Sequence, residues 1–597
     1  MRLTNVAHLR LPFGRLYGYD VSVGAPGEQL PVSFDQARHV AEGDRPGSWM
    51  ALSFRLPEQV AREHLAAAWL AVVARHGTLR TVFSPPPDGE GDPLLHQVEV
   101  GPGQWVEHPV RPGQAVNEAL RDVLDVACRP HARPSHRLCV LETADGPTVV
   151  IGADHAHTDM WSMLVVARDL LTALPLARAG QDPTAALPPV AAFAEHTRQL
   201  VEHPAAPPEV RERWAEIIAE GGDVMPRFPM PLGDVEAPTR ERVEVRDVLD
   251  VDDCAAFGAE ALDRGVSTLA LVVSAMTKVT RELAGEPLRA VFPVHSRYEE
   301  TWHDAVGWFI TNSVLRVGDD HPKAAAAAVK EAVRLGSHPL ADVLAPWGGM
   351  PATPGMFAIS WLDLRRLPVR VDSAGLEAQY VGAEILTDGV MLWFVLDENG
   401  LHLRCRYPDT PESRANVGAW LDELVSTLRT WARASAGGVL RLAGPEGERV
   451  FRLQRAQRAD VPALVALLAD DDLGATREGA ELPRYEAAFD AITREKAHYL
   501  AVVRDADERV VATMQLTVLP GLSRGGATRL QVEGLRVASD VRGHGLGTAM
   551  LAWAHDHGRA RGASLAQVTI DASRQRARAF YARLGYEETH AGLRLRL

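Results

Sequence analysis

Apolar positions in this chain fall into short continuous runs and longer stripes at helical spacing, and the two alternate. Val149, Val150 and Ile151 follow the turn pair Gly146-Pro147, which predicts a short interior strand. Met163, Leu164, Ala167, Leu170, Leu171 and Leu174 then share one stripe, which predicts a packed helix. Earlier, Ala61, Leu65, Ala68, Leu70 and Val73 predict a helix over Glu58 to His76, closed by Gly77 as its C-cap and carrying Arg75 and His76 at its carboxyl end, where the macrodipole favours positive charge. Ala, Pro and Gly gather in ARAGQDPTAALPP from Ala177, predicting a joint. The prolines of DVMPRFPMPLGDV, residues 223–235, predict an irregular connection. ASAGGVLRLAGPEGER, residues 434–449, reads as a linker. Beyond it, Leu546, Ala549, Met550, Trp553 and Ala554 predict a helix that begins inside a glycine-containing loop. The alternation predicts an α/β (α+β) protein with lobes at 1–180 and 188–434, a linker at 435–449 and a further domain at 450–597.

Composition narrows the function classes. A chain of 597 residues exceeds what one core supports, so two or more domains are expected. Its 63 basic and 78 acidic residues give a net charge of −15, which argues against a phosphate-backbone binder, and no nucleic-acid partner is expected. The start MRLTNVAHLRLPFGRL lacks the apolar core of a signal peptide, and no apolar run reads as a membrane span, so a cytoplasmic protein with no membrane partner is expected. Cys128, Cys139, Cys254 and Cys405 form no CxxC pair and read as reduced packing residues.

The densest chemistry lies in VVIGADHAHTDMWSM, residues 149–163, where Asp154, His155, His157 and Asp159 follow the predicted strand. His155 suits a general base that takes a proton from an attacking amine or alcohol. HxHxD over His155, His157 and Asp159 also approaches a two-metal hydrolase spacing. Met160 stands where another histidine would continue it, however, and a thioether is a poor ligand for a water-activating metal, so no metal is expected. Two histidines satisfied by backbone hydrogen bonds near a domain interface are the third reading.

Aligned on DMWS, the stretch reads DHxxxDM and resembles the HHxxxDG motif of the condensation domains of nonribosomal peptide synthetases and their stand-alone relatives. Asp154 replaces the first histidine and Met160 the glycine, whereas His155 and Asp159 match. Further elements follow the family's order. Ser33, Gln36 and Arg38 resemble SxAQxR. Arg75, His76, Leu79, Arg80, Thr81 and Phe83 resemble RHExLRTxF, with Gly77 in place of glutamate. Val306, Gly307, Phe309, Asn312 and Arg316 resemble VGxFVNTxxxR. The resemblance implies two chloramphenicol-acetyltransferase-like lobes with His155 at their junction, in a tunnel reached by acyl donor from one face and acceptor from the other. It implies a structural Asp159 to Arg297 ion pair that fixes the His155 loop. Asn312 and Trp308 are expected to be strand and lobe-contact residues.

A second resemblance lies near the carboxyl end. Arg542, Gly545 and Gly547 match RxxGxG at a strand-to-helix turn, where unpaired N–H groups and flexible glycines suit an anion. Phe580, Tyr581, Leu584, Gly585 and Tyr586 resemble FYxxLGF. Together they are similar to the Gcn5-related N-acetyltransferases (GNAT). That resemblance implies acetyl-CoA or another acyl-CoA as co-substrate, with the backbone of Leu535, Arg536 and Val537 pairing to its pantetheine arm and Arg542, Gly543, His544, Gly545, Leu546, Gly547 and Thr548 cradling its pyrophosphate. Tyr581 is the implied acid for the leaving thiolate and Glu533 the candidate base for the acceptor amine.

Joined, these readings predict a bifunctional acyltransferase of natural-product assembly. Its first part forms an amide or ester from a carrier- or CoA-bound acyl group, and its second acylates an amine. No carrier or adenylation sequence occurs in the chain, so a carrier protein in trans and a small-molecule amine or alcohol are the expected partners. The rival readings are a working acetyltransferase joined to a non-catalytic condensation-like scaffold, and the metal hydrolase.

Overall fold

Among the described residues, three sheets organise the chain. The computed structural model describes residues 1–597 apart from 88, 90, 145, 436–437, 445–446, 471–474, 479–480, 496, 572, 590–594 and 596–597. Two units form, Met1–Val251 with Ala261–Leu428, and Asp252–Glu260 with Arg429–Leu597.

The first sheet runs Arg2–Asn5, Gln379–Gly382, Trp49–Arg55, Thr148–Asp154, His136–Glu142, Arg15–Leu30, Leu94–His108 and Thr81–Ser84. The expected strand over Val149 to Ile151 is therefore an interior one, Thr148–Asp154, buried along its whole length. Its alternate residues face opposite ways. Val149, Ile151 and Ala153 join a core with Leu65, Trp69 and Val72 of helix Arg62–Arg75 and Leu164, Val165 and Leu170 of helix Met160–Arg178. Val150 packs instead with Leu120 and Leu124 of helix Val116–Ala127. Gly152 lets that helix approach, since a Cβ there would lie 2.7 Å from Leu124 Cδ2.

The second sheet runs Ile310–Val317, Leu288–His295, Phe357–Asp363, Val390–Asp397, Gly400–Pro408, Thr239–Leu249 and Leu386–Thr387. The expected lobe division at 181–187 is not a clean one. Gln379–Gly382 leaves the later segment and enters the first sheet, with Tyr380 opposite Leu52 and Val381 opposite Ala51. Tyr380 and Val381 are buried there, so both sheets belong to one unit.

Several boundaries differ from the sequence reading. The first long helix begins at Arg62, and His76, with φ −103°, caps it. Gly77 opens a tight turn to Arg80 without a left-handed φ, so the glycine is no C-cap. The expected linker at 435–449 contains strand Val439–Gly444, which pairs with Gly447–Arg455 as Leu440 buries against the core of the second unit; residues 436–437 and 445–446 of it lie outside the described residues. Helix Met160–Arg178 is, by length and composition, apolar enough to cross a membrane, contrary to the expectation that no run would be. Its apolar residues are buried in the core of the first unit.

The third sheet, in the second unit, runs Val439–Gly444, Gly447–Arg455, His498–Arg504, Val510–Leu519, Thr528–Val537 and Ala563–Val568.

Candidate active sites

His155 stands where strand Thr148–Asp154 ends, in the tight turn His155–His157. Gln36, from helix Phe34–Ala41, donates its Nε2–H to Ala156 O at 2.8 Å, and Ser33 and Gln36 close that helix in a capping box. His155 N–H donates to Ser48 O at 3.0 Å. The turn is thus held from two neighbouring segments.

The ring itself has one committed nitrogen. His155 Nδ1 lies 2.9 Å from Thr158 O, and a carbonyl only accepts, so Nδ1 carries the hydrogen and neutral His155 keeps its lone pair on Nε2. Nε2 has no hydrogen-bond partner among the described residues. Burial, followed by the nearby His39, pushes the His155 pKa below its ordinary 6.5, which keeps the ring neutral near pH 7 with Nε2 unprotonated.

Trp308 stacks on this ring with centroids 4.1 Å apart and planes 25° apart. Asn312 lies in strand Ile310–Val317 and Trp308 bridges to the His155 turn, as expected of strand and lobe-contact residues, and both also line the His155 cavity. That cavity, about 1010 Å³, is walled by Trp49, Met50 and Tyr380 of the first sheet and by Val291, Ala358 and Trp393 of the second.

Asp159 caps helix Met160–Arg178, accepting from Ser162 N–H at 2.6 Å. Arg297 Nη2 lies 3.3 Å from Asp159 Oδ1 and 2.6 Å from Ser162 Oγ. Phe309 N–H donates to Asp159 Oδ2 at 3.1 Å, and Arg297 Nη1 donates to Trp302 O and Ala305 O. Both charged side chains are buried, and the guanidinium lies 3.8 Å over the Phe309 ring. Four segments are tied at this point, one of them leading directly into Trp308.

His157 turns away from the cavity and packs edge-on against Phe83 with centroids 5.3 Å apart. His155, His157 and Asp159 therefore serve three separate surroundings, and no group of three His, Cys, Asp or Glu side chains among the described residues could hold a metal ion.

Sequence reasoning missed His39. Arg45 Nη2 lies 3.1 Å from His39 Nδ1, and a guanidinium only donates, so His39 Nε2–H points to Asp154 Oδ2 at 3.2 Å. Asp154 also accepts from Ala156 N–H at 2.9 Å. The residue that replaces the first motif histidine thus takes an imidazole partner from another helix. The signal was the uninterpreted histidine beside Arg38.

In the second unit, Thr528–Val537 carries a bulge: Thr513 faces Arg536 and Gln515 faces Glu533, leaving Gly534, with φ +59°, and Leu535 opposite Met514. Pairing to Ala563–Val568 ends at Val532 with Val568, so residues 533–537, which include Leu535, Arg536 and Val537, continue without a strand on that side among the described residues. Gly543 and Gly545 adopt φ +87° and +85°, and a Cβ on either would meet nothing within 4 Å. Helix Leu546–Ala560 follows, and the N–H groups of Gly545, Leu546, Gly547 and Thr548 have no hydrogen-bond partner among the described residues. Such a cradle fits the pyrophosphate of an acyl-CoA.

Other candidates in this unit are engaged differently. The Arg542 guanidinium donates to Val537 O at 2.7 Å and to Asp470 Oδ2 at 2.8 Å, so it braces the loop. His544 Nδ1–H donates to Val541 O at 3.3 Å. Tyr581 packs between Phe580 and Tyr586, and burial raises its pKa, keeping the phenol protonated. Glu533 is exposed.

Comparisons with known proteins find two families along the chain. The family model for the condensation domain matches residues 30–335, and that for the acetyltransferase (GNAT) family matches residues 464–586. Acyltransferase PapA3 of Mycobacterium tuberculosis is 24% identical over 69% of this chain and 91% of its own. CymA of Salinispora arenicola, named a probable nonribosomal peptide synthetase, is 30% identical over 48% of this chain, which spans only 4% of that protein. A solved structure described as PapA2 acyl transferase shares the fold, with a TM-score of 0.64 and 20% identity over 72% of this chain and 100% of the other. The chain belongs to the condensation-domain family, a family that includes acyltransferases, and it carries a GNAT-family acetyltransferase domain in its second unit.

Proposed function

We propose that the first unit is a condensation enzyme in which His155 Nε2 serves as the base for acyl transfer from a carrier- or CoA-bound thioester. The observation that carries the reading is the committed tautomer: Nδ1–H is spent on Thr158 O, so the unprotonated nitrogen is the one left for a substrate in a cavity walled by both sheets. An alcohol or amine held there adds to the thioester carbonyl as His155 takes its proton. Collapse of the adduct breaks the carbon–sulfur bond, and the proton passes to the leaving thiolate. Proton transfer of this kind contributes roughly 10² to 10⁴ in rate, and holding both substrates together adds proximity. Asp159 and Arg297 position the turn without touching the reacting atoms. The kinship with a peptide synthetase and with PapA-type acyltransferases supports a carrier protein in trans as donor and a small amine or alcohol as acceptor.

The second unit is read as an N-acyltransferase of the cytoplasm. Residues 543–548 and the strand edge at 535–537 would hold an acyl-CoA, which when bound supplies the thioester acyl group. Tyr581, kept protonated, would serve as the acid for the thiolate, and Glu533, which is exposed, as the base for the amine.

The replacement of the first motif histidine by Asp154 favours a second reading, a binding scaffold without catalysis in the first unit. Intact-mass analysis of products with acyl thioesters, acetyl-CoA and candidate amines separates the two. His155→Ala lowers formation of the product from the carrier-bound thioester by about 10² to 10⁴ on the main reading and changes nothing on the second. Tyr581→Phe depresses only CoA-dependent acylation.

A further inference from the structure

Two arginines share one face of strand Gly400–Pro408, opposite Trp393 and Met391 of the neighbouring strand, and both line the His155 cavity. Arg404 is 3% exposed, and its Nε and Nη2 have no hydrogen-bond partner among the described residues. Its guanidinium leans on the Trp393 ring at 4.7 Å, and that of Arg406 lies 5.2 Å from the same ring. Among the described residues Arg406 Nη2 meets only the Met391 thioether, and the Glu241 carboxylate stands 3.9 Å from Arg406 Nε.

The other acids of this wall are already engaged. Glu384 takes Arg121 at 2.8 Å and Arg240 at 3.6 Å, and Asp125 accepts from Trp49 Nε1 and Gly47 N–H. Two guanidinium groups thus face one carboxylate, and a buried, hydrogen-bond-deficient arginine is costly unless something supplies the acceptor. Burial and then the adjacent Arg406 push the Arg404 pKa down to about 10, the direction expected of uncompensated charge.

We propose that Arg404, assisted by Arg406, is an oxyanion-binding subsite of the His155 cavity, which takes a carboxylate, sulfate or phosphate group carried by the substrate. The assignment deepens the acyl-transfer reading and rests on it for the word substrate. The planar fork of Nε and Nη2 suits two acceptor oxygens in one plane. Binding at Arg404 fixes one end of the molecule while its reacting group reaches His155. The anion belongs either to the acceptor or to the phosphopantetheine arm of the donor.

The test is calorimetric titration of the full chain with inorganic sulfate, then with 4′-phosphopantetheine against pantetheine, and with benzoylglycine against benzoylglycinamide. Sulfate should occupy an Arg404-dependent site besides any taken by the residue 543–548 cradle, and Arg404→Met and Arg404→Gln should each weaken that site at least tenfold, while His155→Ala leaves it unchanged. An Arg404-dependent preference for phosphopantetheine assigns the anion to the donor arm, and one for benzoylglycine assigns it to the acceptor. Sulfate bound equally by wild type and both Arg404 variants, or not bound by wild type, overturns the subsite. These titrations read binding alone, so their failure leaves His155 catalysis to be judged by turnover. Sulfate binding intact in a wild-type protein whose acyl transfer from a carrier-bound thioester is unaffected by His155→Ala would instead sink the acyl-transfer reading.

Discussion

Removing Arg297 should be among the most damaging single substitutions in the first unit. Arg297→Met leaves the buried Asp159 carboxylate with the N–H groups of Ser162 and Phe309 and takes the guanidinium donor from the carbonyls of Trp302 and Ala305. At 3.3 Å and an effective dielectric of about 20, the charges attract by roughly 5 kcal/mol. Stranding one partner of a buried pair costs about 3–5 kcal/mol. Asp159→Asn with Arg297→Met removes both charges and should cost roughly 1–2 kcal/mol, mostly lost hydrogen bonds. Urea unfolding followed by tryptophan fluorescence, completed as a double-mutant cycle, gives both values. A loss below about 1 kcal/mol for the single variant, or a double variant as unstable as the sum of the singles, would refute the argument that this pair holds the His155 turn.

Acidification should weaken the fold. His136, buried and donating Nε2–H to Leu79 O at 2.9 Å, has its pKa lowered by burial from 6.5 to about 4. The unfolded chain then binds the proton more tightly, so the contribution of His136 is full above pH 6.5 and is lost as pH falls through about 4. The urea midpoint should drop across that window and His136→Gln should flatten the slope; an unchanged slope contradicts it. Gly545→Ala forces a side chain onto φ +85°, a strain of about 1–2 kcal/mol, and should weaken acyl-CoA binding several-fold by calorimetry. Unaltered affinity would count against the cradle.

Much of the first site was legible because it lies along one stretch of chain. An apolar run and a helical stripe bracket His155, and the run became an interior strand covered on both faces. Arg297 could be named only through family resemblance, since nothing local in VFPVHSR announces a partner 138 residues away. His39, and the stacking of Trp308 on His155, escaped because they arise from helix Phe34–Ala41 and a segment past residue 300 converging on one ring. Nothing in the sequence singled out Arg404, whose place opposite Trp393 on the cavity wall is set by the sheet register. The linker was misjudged because glycines that read as flexible flank a strand whose Leu440 is buried. Strand Gln379–Gly382 is too short to reveal from periodicity which sheet it joins.

The central claim is that His155 moves the proton in acyl transfer, and the most direct measurement is single-turnover transfer from a carrier-bound acyl thioester to an amine, comparing wild type with His155→Ala. The account predicts a rate lower by about 10² to 10⁴, with CoA-dependent acetylation by the second unit unchanged. Equal rates for the two proteins would contradict it.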